Sequence, residues 1–143
     1  MSTDAKTKLE DFRAPTSIKL ALLWASLMFL YIYNDYFSMY LPGTVDDMAA
    51  GRLGPLGAAT EGVLVGVAIM LAIPALMIFL SAALRPWASR WLNVVVGLAY
   101  TGIEAVTLLG APLFYQIVVV LEIALTVLIV WNALRWPKSA PAE

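Results

Sequence analysis

Residues 60–84 read TEGVLVGVAIMLAIPALMIFLSAAL, and no charged side chain follows Glu61 within them. A helix of about 20 apolar residues crosses the ~30 Å hydrocarbon core of a bilayer, so this stretch is long enough to span a membrane. Short polar breaks separate it from three comparable stretches, at about 17–41, 91–109 and 113–136. The sequence therefore predicts an all-α fold, a bundle of four transmembrane helices in one membrane domain, 17–136.

The composition excludes a soluble domain and several kinds of chemistry. Hydrophobic residues make up 62% of the chain and charged residues 13%, against about 25% charged residues in soluble domains. The chain has no Cys and no His, which removes disulfides, the usual haem ligands and most zinc sites. We therefore expect no cofactor, no metal and no enzyme activity. The net charge of −1, with dispersed cations, gives no reason to expect a nucleic-acid partner.

The distribution of Lys and Arg predicts the orientation of the bundle. In a four-span threading only Arg52 falls on one side, where it accompanies Asp46, Asp47 and Glu61. The positive-inside rule then places both termini in the cytoplasm. The tails, 1–16 and 137–143, are expected to be cytoplasmic or interfacial. The cations on the other side are Lys6, Lys8, Arg13, Lys19, Arg85, Arg90, Arg135 and Lys138.

The predicted location is a bacterial cytoplasmic (inner) membrane, which the chain crosses several times. The lipid bilayer is then its first partner. Two features of the second predicted span, 60–84, bear on helix packing. Pro74 leaves the Met70 carbonyl without its helical donor, which predicts a kink. Gly62 and Gly66, four residues apart, would let a neighbouring helix approach closely.

Polar residues recur along one face of three of the four predicted spans. Spacings of three and four residues place them on one side of each helix. Lipid offers no hydrogen bonds, so these faces are expected to turn inward. The stripes are Trp24, Met28, Tyr31, Asp35 and Ser38, with Asn34 adjoining; Asn93, Gly97, Tyr100, Glu104 and Thr107; and Tyr115, Val119, Glu122 and Thr126.

Each stripe contains one acid, and no Lys, Arg or His lies at a comparable depth. An uncompensated acid in hydrocarbon must be protonated, hydrated or bound to a cation. At 1.5 Å per residue, Asp35 and Glu104 lie roughly 9 Å below the outer ends of their helices, and Glu122 roughly 15 Å below its own. This predicts a ligand- or proton-binding site that opens outward. Its candidate residues are Asp35, Glu104, Glu122, Tyr31, Tyr100, Tyr115 and Asn34.

Two functions fit this pattern. The first is a small transporter or binding protein for a cation or a cationic amphiphile, with Glu122 and Glu104 as the binding acids and Asp35 at the outer mouth. The second is a non-catalytic structural or accessory subunit whose acids are hydrogen-bonded across helix interfaces. A water-filled cavity between the acids favours the first function, and a dry, packed interior favours the second. An enzyme acting on lipid or quinone is a weaker alternative, and a homo-oligomer is left open.

Four segments of the sequence are typical of one family. They are Tyr31-Ile32-Tyr33-Asn34-Asp35-Tyr36-Phe37 running to Pro42-Gly43, Ala72-Ile73-Pro74-Ala75-Leu76-Met77-Ile78-Phe79-Leu80, Trp91-Leu92-Asn93, and Glu122-Ile123 before Trp136-Pro137. In these features, and over nearly its whole length, the chain resembles a bacterial family of small four-helix membrane proteins of unknown function. The resemblance implies the same architecture and carries no activity with it.

Overall fold

The computed structural model describes residues 13–137, so most of the predicted N-terminal tail and nearly all of the C-terminal tail lie outside the described residues. Within this part of the chain the regular structure is helical and there is no strand, which confirms the predicted all-α class. A 3₁₀ turn, Gly54–Leu56, lies in the longest connection. The helices are α1 (Thr16–Ser38), α2 (Thr44–Ala49), α3 (Glu61–Ala83), α4 (Pro86–Thr107) and α5 (Leu113–Leu134).

The boundaries of the long helices follow from local backbone chemistry, and one predicted boundary is wrong. α3 begins after Thr60, whose side chain accepts a hydrogen bond from the amide of Val63, as an N-cap residue does. α4 begins at Pro86 rather than near residue 91. Proline is well suited to the first helical position, because its missing N–H has no helical partner there. The helix therefore includes Arg90, which the sequence had placed in a loop.

The four long helices form a ring in chain order. α1 packs against α3 and α5, α4 packs against α5, and α3 contacts α4 less extensively. α1, α3 and α5 are each long and apolar enough to cross a membrane, which indicates a multi-pass membrane protein. By the same criterion α4 is not a candidate span. Its sequence contains Ser89, Arg90, Asn93 and Glu104, which lower its hydropathy.

The polar residues of α4 face the interior, and its apolar residues face outward. Its buried positions include Ser89, Asn93, Tyr100 and Glu104. Large apolar side chains on the opposite face are 40–67% exposed, namely Trp91, Val95, Leu98, Ile103 and Val106. A soluble helix has the reverse pattern. α4 therefore buries most of its polar groups, together with Val94 and Gly97, and the surface it leaves exposed is mainly apolar, although Thr107 is exposed.

A closed polar network joins the helices at the end of the bundle where α1 and α4 begin. We call this the basic end, because Lys19, Arg85, Arg90 and Arg135 lie there. The indole Nε1 of Trp24 donates to Asn93 Oδ1 at 2.7 Å, and Ser81 Oγ donates to the same oxygen at 3.1 Å. Asn93 Nδ2 donates to the carbonyl of Ser89 at 2.8 Å. Ser89 Oγ donates to the carbonyl of Ser81 at 2.9 Å.

All four side chains of this network are buried. They connect α1, α3 and α4, and Trp24 and Asn93 meet across the ring. Since each polar group has a partner, the network can stabilise one arrangement of the helices without stranding a donor in an apolar interior. It is surrounded by an apolar cluster that includes Leu20, Leu27, Met77 and Ile129. The interior at the basic end is therefore closely packed, with the polar side chains of this network hydrogen-bonded to one another.

The Met70 carbonyl, predicted to lack a helical donor, receives a hydrogen bond from α4. α3 continues as one helix through Pro74. The hydroxyl of Tyr100 donates a hydrogen bond to the Met70 carbonyl, the group that Pro74 deprives of its helical donor. A side chain of a neighbouring helix thus replaces the missing N–H, which is how membrane helices tolerate proline. Gly62 and Gly66 do not serve close packing within the described bundle, since a Cβ at either position would meet nothing within 4 Å.

Candidate functional site

Close packing of α4 on α5 positions the two buried acids. A Cβ added to Gly97 would lie 2.8 Å from Val130 Cγ2, so only glycine allows the helices to come this near. One turn further along α4, Thr101 Oγ1 donates to the Gly97 carbonyl at 2.8 Å and lies 2.9 Å from Thr126 Oγ1. Thr126 in turn follows Glu122 by one helical turn. The acids of α4 and α5 therefore lie about one helical turn beyond this threonine pair, on the same side of it.

Glu104 is held by hydrogen bonds from two other helices. It is 3% exposed. Its Oε1 accepts a hydrogen bond from the hydroxyl of Tyr31 on α1 at 2.6 Å, and its Oε2 accepts one from Thr126 Oγ1 on α5 at 2.9 Å. Thr107 Oγ1 also donates to the Glu104 carbonyl at 2.8 Å. Glu104 thus connects three helices, as a carboxyl that stabilises packing would.

Glu122 is equally buried and much less satisfied. It is 3% exposed, and its side chain interacts with that of Asn34 on α1, which is 4% exposed. Even so, Glu122 Oε1 and Asn34 Oδ1 are buried without a hydrogen-bond partner among the described residues. A buried polar atom left unpaired costs about 1–3 kcal/mol. This pair therefore has acceptor capacity that a donor from a ligand can use.

The predicted inward position of Asp35 is wrong. The side chain of Asp35 is exposed, and the neighbouring Asn34 is buried instead. Two sets of residues on α1 have the same spacing of three and four, and packing selects the one that contains Leu27 and Asn34 over the one that contains Met28 and Asp35. Asp35 is still near enough to act electrostatically on Glu122 and Tyr115. It lies beside the buried pair, on the outside of the bundle.

The three predicted tyrosines take different positions. Tyr31 contacts an acid directly, through its hydrogen bond to Glu104. Tyr115 is half-buried near Glu122 and interacts with the hydroxyl of Thr107. Tyr100 is buried, but its hydroxyl is engaged by the Met70 carbonyl rather than by a carboxyl. Of the three, Tyr31 and Tyr115 border the acids, and Tyr100 supports the helix that faces them.

The two glutamates, predicted at different depths below their own helix ends, are neighbours in the structure. Glu104 and Glu122 lie close enough for the charge of one to act on the other, and Thr126 Oγ1 contacts both the Glu104 carboxyl and the Glu122 carbonyl, at 2.9 and 3.2 Å. The cause is the pairing of α4 with α5, in which the residues around position 104 pack beside residues 122–126. Depth counted separately from each helix end cannot include this offset.

No cation of the described chain compensates these acids. The ion pair found in 13–137 joins Arg52 to Asp47 outside the long helices. The other described Lys and Arg residues lie at the basic end. Within the same range, no three His, Cys, Asp or Glu side chains are placed to hold a metal ion. The site therefore contains two neighbouring carboxyls, Glu104 with both oxygens hydrogen-bonded and Glu122 with one unpaired oxygen. The amide of Asn34 and the hydroxyls of Tyr31 and Tyr115 complete it.

Two shallow cavities lie on the outer surface of the bundle, and neither is lined by an acid. One is bordered by Phe29, Ile32, Tyr33 and Tyr36 on α1. The other lies between α4 and α5. Glu104 is buried with both carboxyl oxygens hydrogen-bonded, as expected for a structural carboxyl, while the unpaired oxygens at Glu122 and Asn34 fit a binding site.

Sequence reasoning missed the roles of several buried polar residues. Thr126 was placed on the inward stripe of α5, but its contact with Glu104 depends on helix pairing. Ser81 and Ser89 were not singled out, although both complete the network around Asn93. The signal was available, because an isolated polar residue in an apolar helix is expected to turn inward and find a partner.

A family model described as "Family of unknown function (DUF6326)" matches residues 8–142 of the chain. The match covers all five helices and both acids. Comparison with curated proteins and with solved structures gives no match.

Proposed function

The chain belongs to the family of unknown function DUF6326, and we propose that it is a four-span membrane protein that binds a cation or a cationic amphiphile at Glu122. Transport of that cation is the corresponding activity. The resemblance to an uncharacterised family agrees with the family match, and the family description assigns no activity.

The exposed surface of α4 supports a fourth span. Its outward side chains, among them Val95, Leu98 and Val106, are apolar and well exposed. Most of its polar side chains, among them Ser89, Asn93 and Glu104, are buried against the other helices and hydrogen-bonded there. A helix between two spans whose exposed side chains are mainly apolar is stable in lipid and would be unfavourable in water. The length of α4, 22 residues, suffices for a core of ~30 Å.

The basic end supports the predicted orientation. Lys19, Arg85, Arg90 and Arg135 lie at this end, while Asp46, Asp47 and Glu61 lie near the opposite one. By the positive-inside rule the basic end faces the cytoplasm, with both termini, and the acids lie nearer the outer side. A bacterial cytoplasmic membrane is the location that fits this topology.

The observation that carries the binding proposal is the unpaired buried acceptor on Glu122. Its Oε1 and the nearby Asn34 Oδ1 need donors, and no Lys or Arg of residues 13–137 pairs with them. A ligand with N–H donors and a positive charge supplies both the hydrogen bonds and the counter-charge. This favours a protonated amine over a quaternary ammonium ion, which has charge but no N–H. The aromatic ring of Tyr115, beside Glu122, can add a cation–π contact.

Thermal unfolding of the purified protein in detergent tests this proposal. A ligand that binds only the folded state raises its stability, by about 2.7 kcal/mol at a concentration 100 times the Kd. We expect n-butylammonium to raise Tm and tetramethylammonium, at equal concentration and ionic strength, to do so much less. Glu122→Gln should remove the difference. Glu61→Gln, the same change on an exposed residue at the same end, should preserve it.

Equal stabilisation of the parent protein by both ions, or an undiminished effect in Glu122→Gln, would contradict the proposal. If neither ion changes the stability, the second candidate function is favoured, a structural or accessory subunit. The observation behind it is Glu104, whose two carboxyl oxygens are both engaged by neighbouring helices. In that case Tyr31→Phe should lower stability while no cation changes it.

A further inference from the structure

A groove on the exposed surface between α4 and α5 leads toward the basic end. Its volume is about 190 Å³. Leu98, Val127 and Trp131 on its walls are about half exposed, at 58%, 50% and 51%. The hydroxyl of Thr101 is already hydrogen-bonded to Gly97 and Thr126, which leaves the lining apolar. The lining residues are Leu98, Thr101, Val127, Val130, Trp131 and Leu134.

Two arginines contact residues that line this groove. The guanidinium of Arg135 lies over the ring of Trp131, with Cζ 3.8 Å from the ring centroid. Arg90 Nη2 donates to the carbonyl of Leu134 at 3.2 Å. The two positive charges are therefore at the same end of the groove, held there by its own wall.

Neither arginine is neutralised within the described residues. In 13–137 neither makes an ion pair, and Arg90 Nε is buried without a hydrogen-bond partner. A buried guanidinium nitrogen left unpaired is unfavourable. Arginine presents a planar set of donors that matches the oxygens of a phosphate. The groove thus combines an apolar surface with a partly unsatisfied phosphate-binding group at one end.

We propose that this groove binds one anionic phospholipid, with an acyl chain along Leu98, Val127 and Val130 and its phosphate between Arg90 and Arg135. The charge at one end and the apolar lining along the rest match the two parts of such a lipid. The basic end also agrees with the membrane surface where anionic headgroups attract Arg and Lys. The α5 residues of this groove, Val127 to Leu134, follow Glu122 toward the basic end, and the proposal does not depend on the cation site.

Native mass spectrometry of the protein released from nanodiscs tests the proposal. The nanodiscs contain equal amounts of phosphatidylglycerol and phosphatidylcholine. We expect one phosphatidylglycerol to remain bound preferentially. A contact with anionic lipid is worth about 1 kcal/mol per cation, or about fivefold in affinity. Arg135→Gln should therefore reduce the preference about fivefold, and Arg90→Gln with Arg135→Gln about 25-fold.

Arg85→Gln is the matched control, because Arg85 lies at the same end and contacts no groove residue described above. It should leave the preference unchanged. Val127→Trp should fill the groove and remove the bound lipid, whereas Ile117→Trp, equally exposed on α5 outside the groove, should not. The Trp pair keeps the test valid if the Arg90 variant fails to fold.

Three results would overturn the proposal. Equal losses in Arg85→Gln and Arg135→Gln would indicate a diffuse basic surface. Displacement of the bound lipid by millimolar glycerol phosphate would show that the acyl groove contributes nothing. A lipid-free dimer that Val127→Trp dissociates would show that a second copy of the chain occupies the groove.

Discussion

Asn93→Ala is expected to destabilise the bundle by about 1–3 kcal/mol. The change removes an acceptor that serves two buried donors, Trp24 Nε1 at 2.7 Å and Ser81 Oγ at 3.1 Å. In soluble interiors each stranded donor would cost about 1–3 kcal/mol. Interhelical hydrogen bonds in membrane proteins average about 0.6 kcal/mol and reach about 1.7, because the unfolded state also finds partners. Two such bonds, at the values for membrane proteins, give the expected range.

The assay is equilibrium unfolding in mixed micelles with increasing dodecyl sulfate, followed by far-ultraviolet circular dichroism. Asn132→Ala is the control, since Asn132 Nδ2 donates only to the Leu128 carbonyl of its own helix, at 2.7 Å. It should change the free energy of unfolding by less than about 0.5 kcal/mol. A double-mutant cycle with Trp24→Phe should give a coupling of about 0.6–1.7 kcal/mol. Equal losses in the two Asn variants, or no coupling, would refute the network's role.

Three further predictions concern helix packing and topology. Gly97→Ala should destabilise the protein by about 1–3 kcal/mol through overpacking against Val130, and Val130→Ala should restore part of the loss in the same unfolding assay. Tyr100→Phe should lower the free energy of unfolding by about 0.6–1.7 kcal/mol, because the Met70 carbonyl loses its donor. The loss should be much smaller in a Pro74→Ala background, where the amide of residue 74 can donate to that carbonyl. A reporter that works only in the cytoplasm should be active when it is fused after the last residue. One that works only in the periplasm should be inactive at the same position.

Each of these predictions has its own control or contrary outcome. Gly102→Ala is the matched change for Gly97, because a Cβ at Gly102 meets nothing within 4 Å, and it should be neutral or stabilising. The overpacking argument fails if both glycine variants behave alike. An equal cost of Tyr100→Phe with and without Pro74 would mean that its hydroxyl does not compensate the proline. Periplasmic activity of the fused reporter would invert the proposed orientation.

The sequence predicted the helices and most of their buried faces, because apolar length and polar spacing are local properties. Asn93, Gly97, Tyr100 and Glu104 on α4 are buried as predicted. The sequence could not decide whether Asn34 or Asp35 faces the interior of the bundle, since both lie on stripes with the same spacing. That choice depends on which side chains of α1 pack against the neighbouring helices.

Contacts between helices were the other part that the sequence could not supply. The pairing of Glu104 with Tyr31 and Thr126 depends on the relative heights of α1, α4 and α5. The early start of α4 at Pro86 and the close approach at Gly97 set the height of α4. The sequence of one helix shows which residues can make these contacts. It does not show the relative height of two helices, which depends on how they pack.

The central claim is that Glu122, with its unpaired oxygen, binds a protonated amine. Infrared difference spectroscopy of the reconstituted protein, with and without n-butylammonium, observes that carboxyl directly. We predict a difference band in the carboxyl region that is present in the parent protein and in Glu61→Gln, and absent in Glu122→Gln. A band that persists unchanged in Glu122→Gln, or an equal band with tetramethylammonium, would contradict the account.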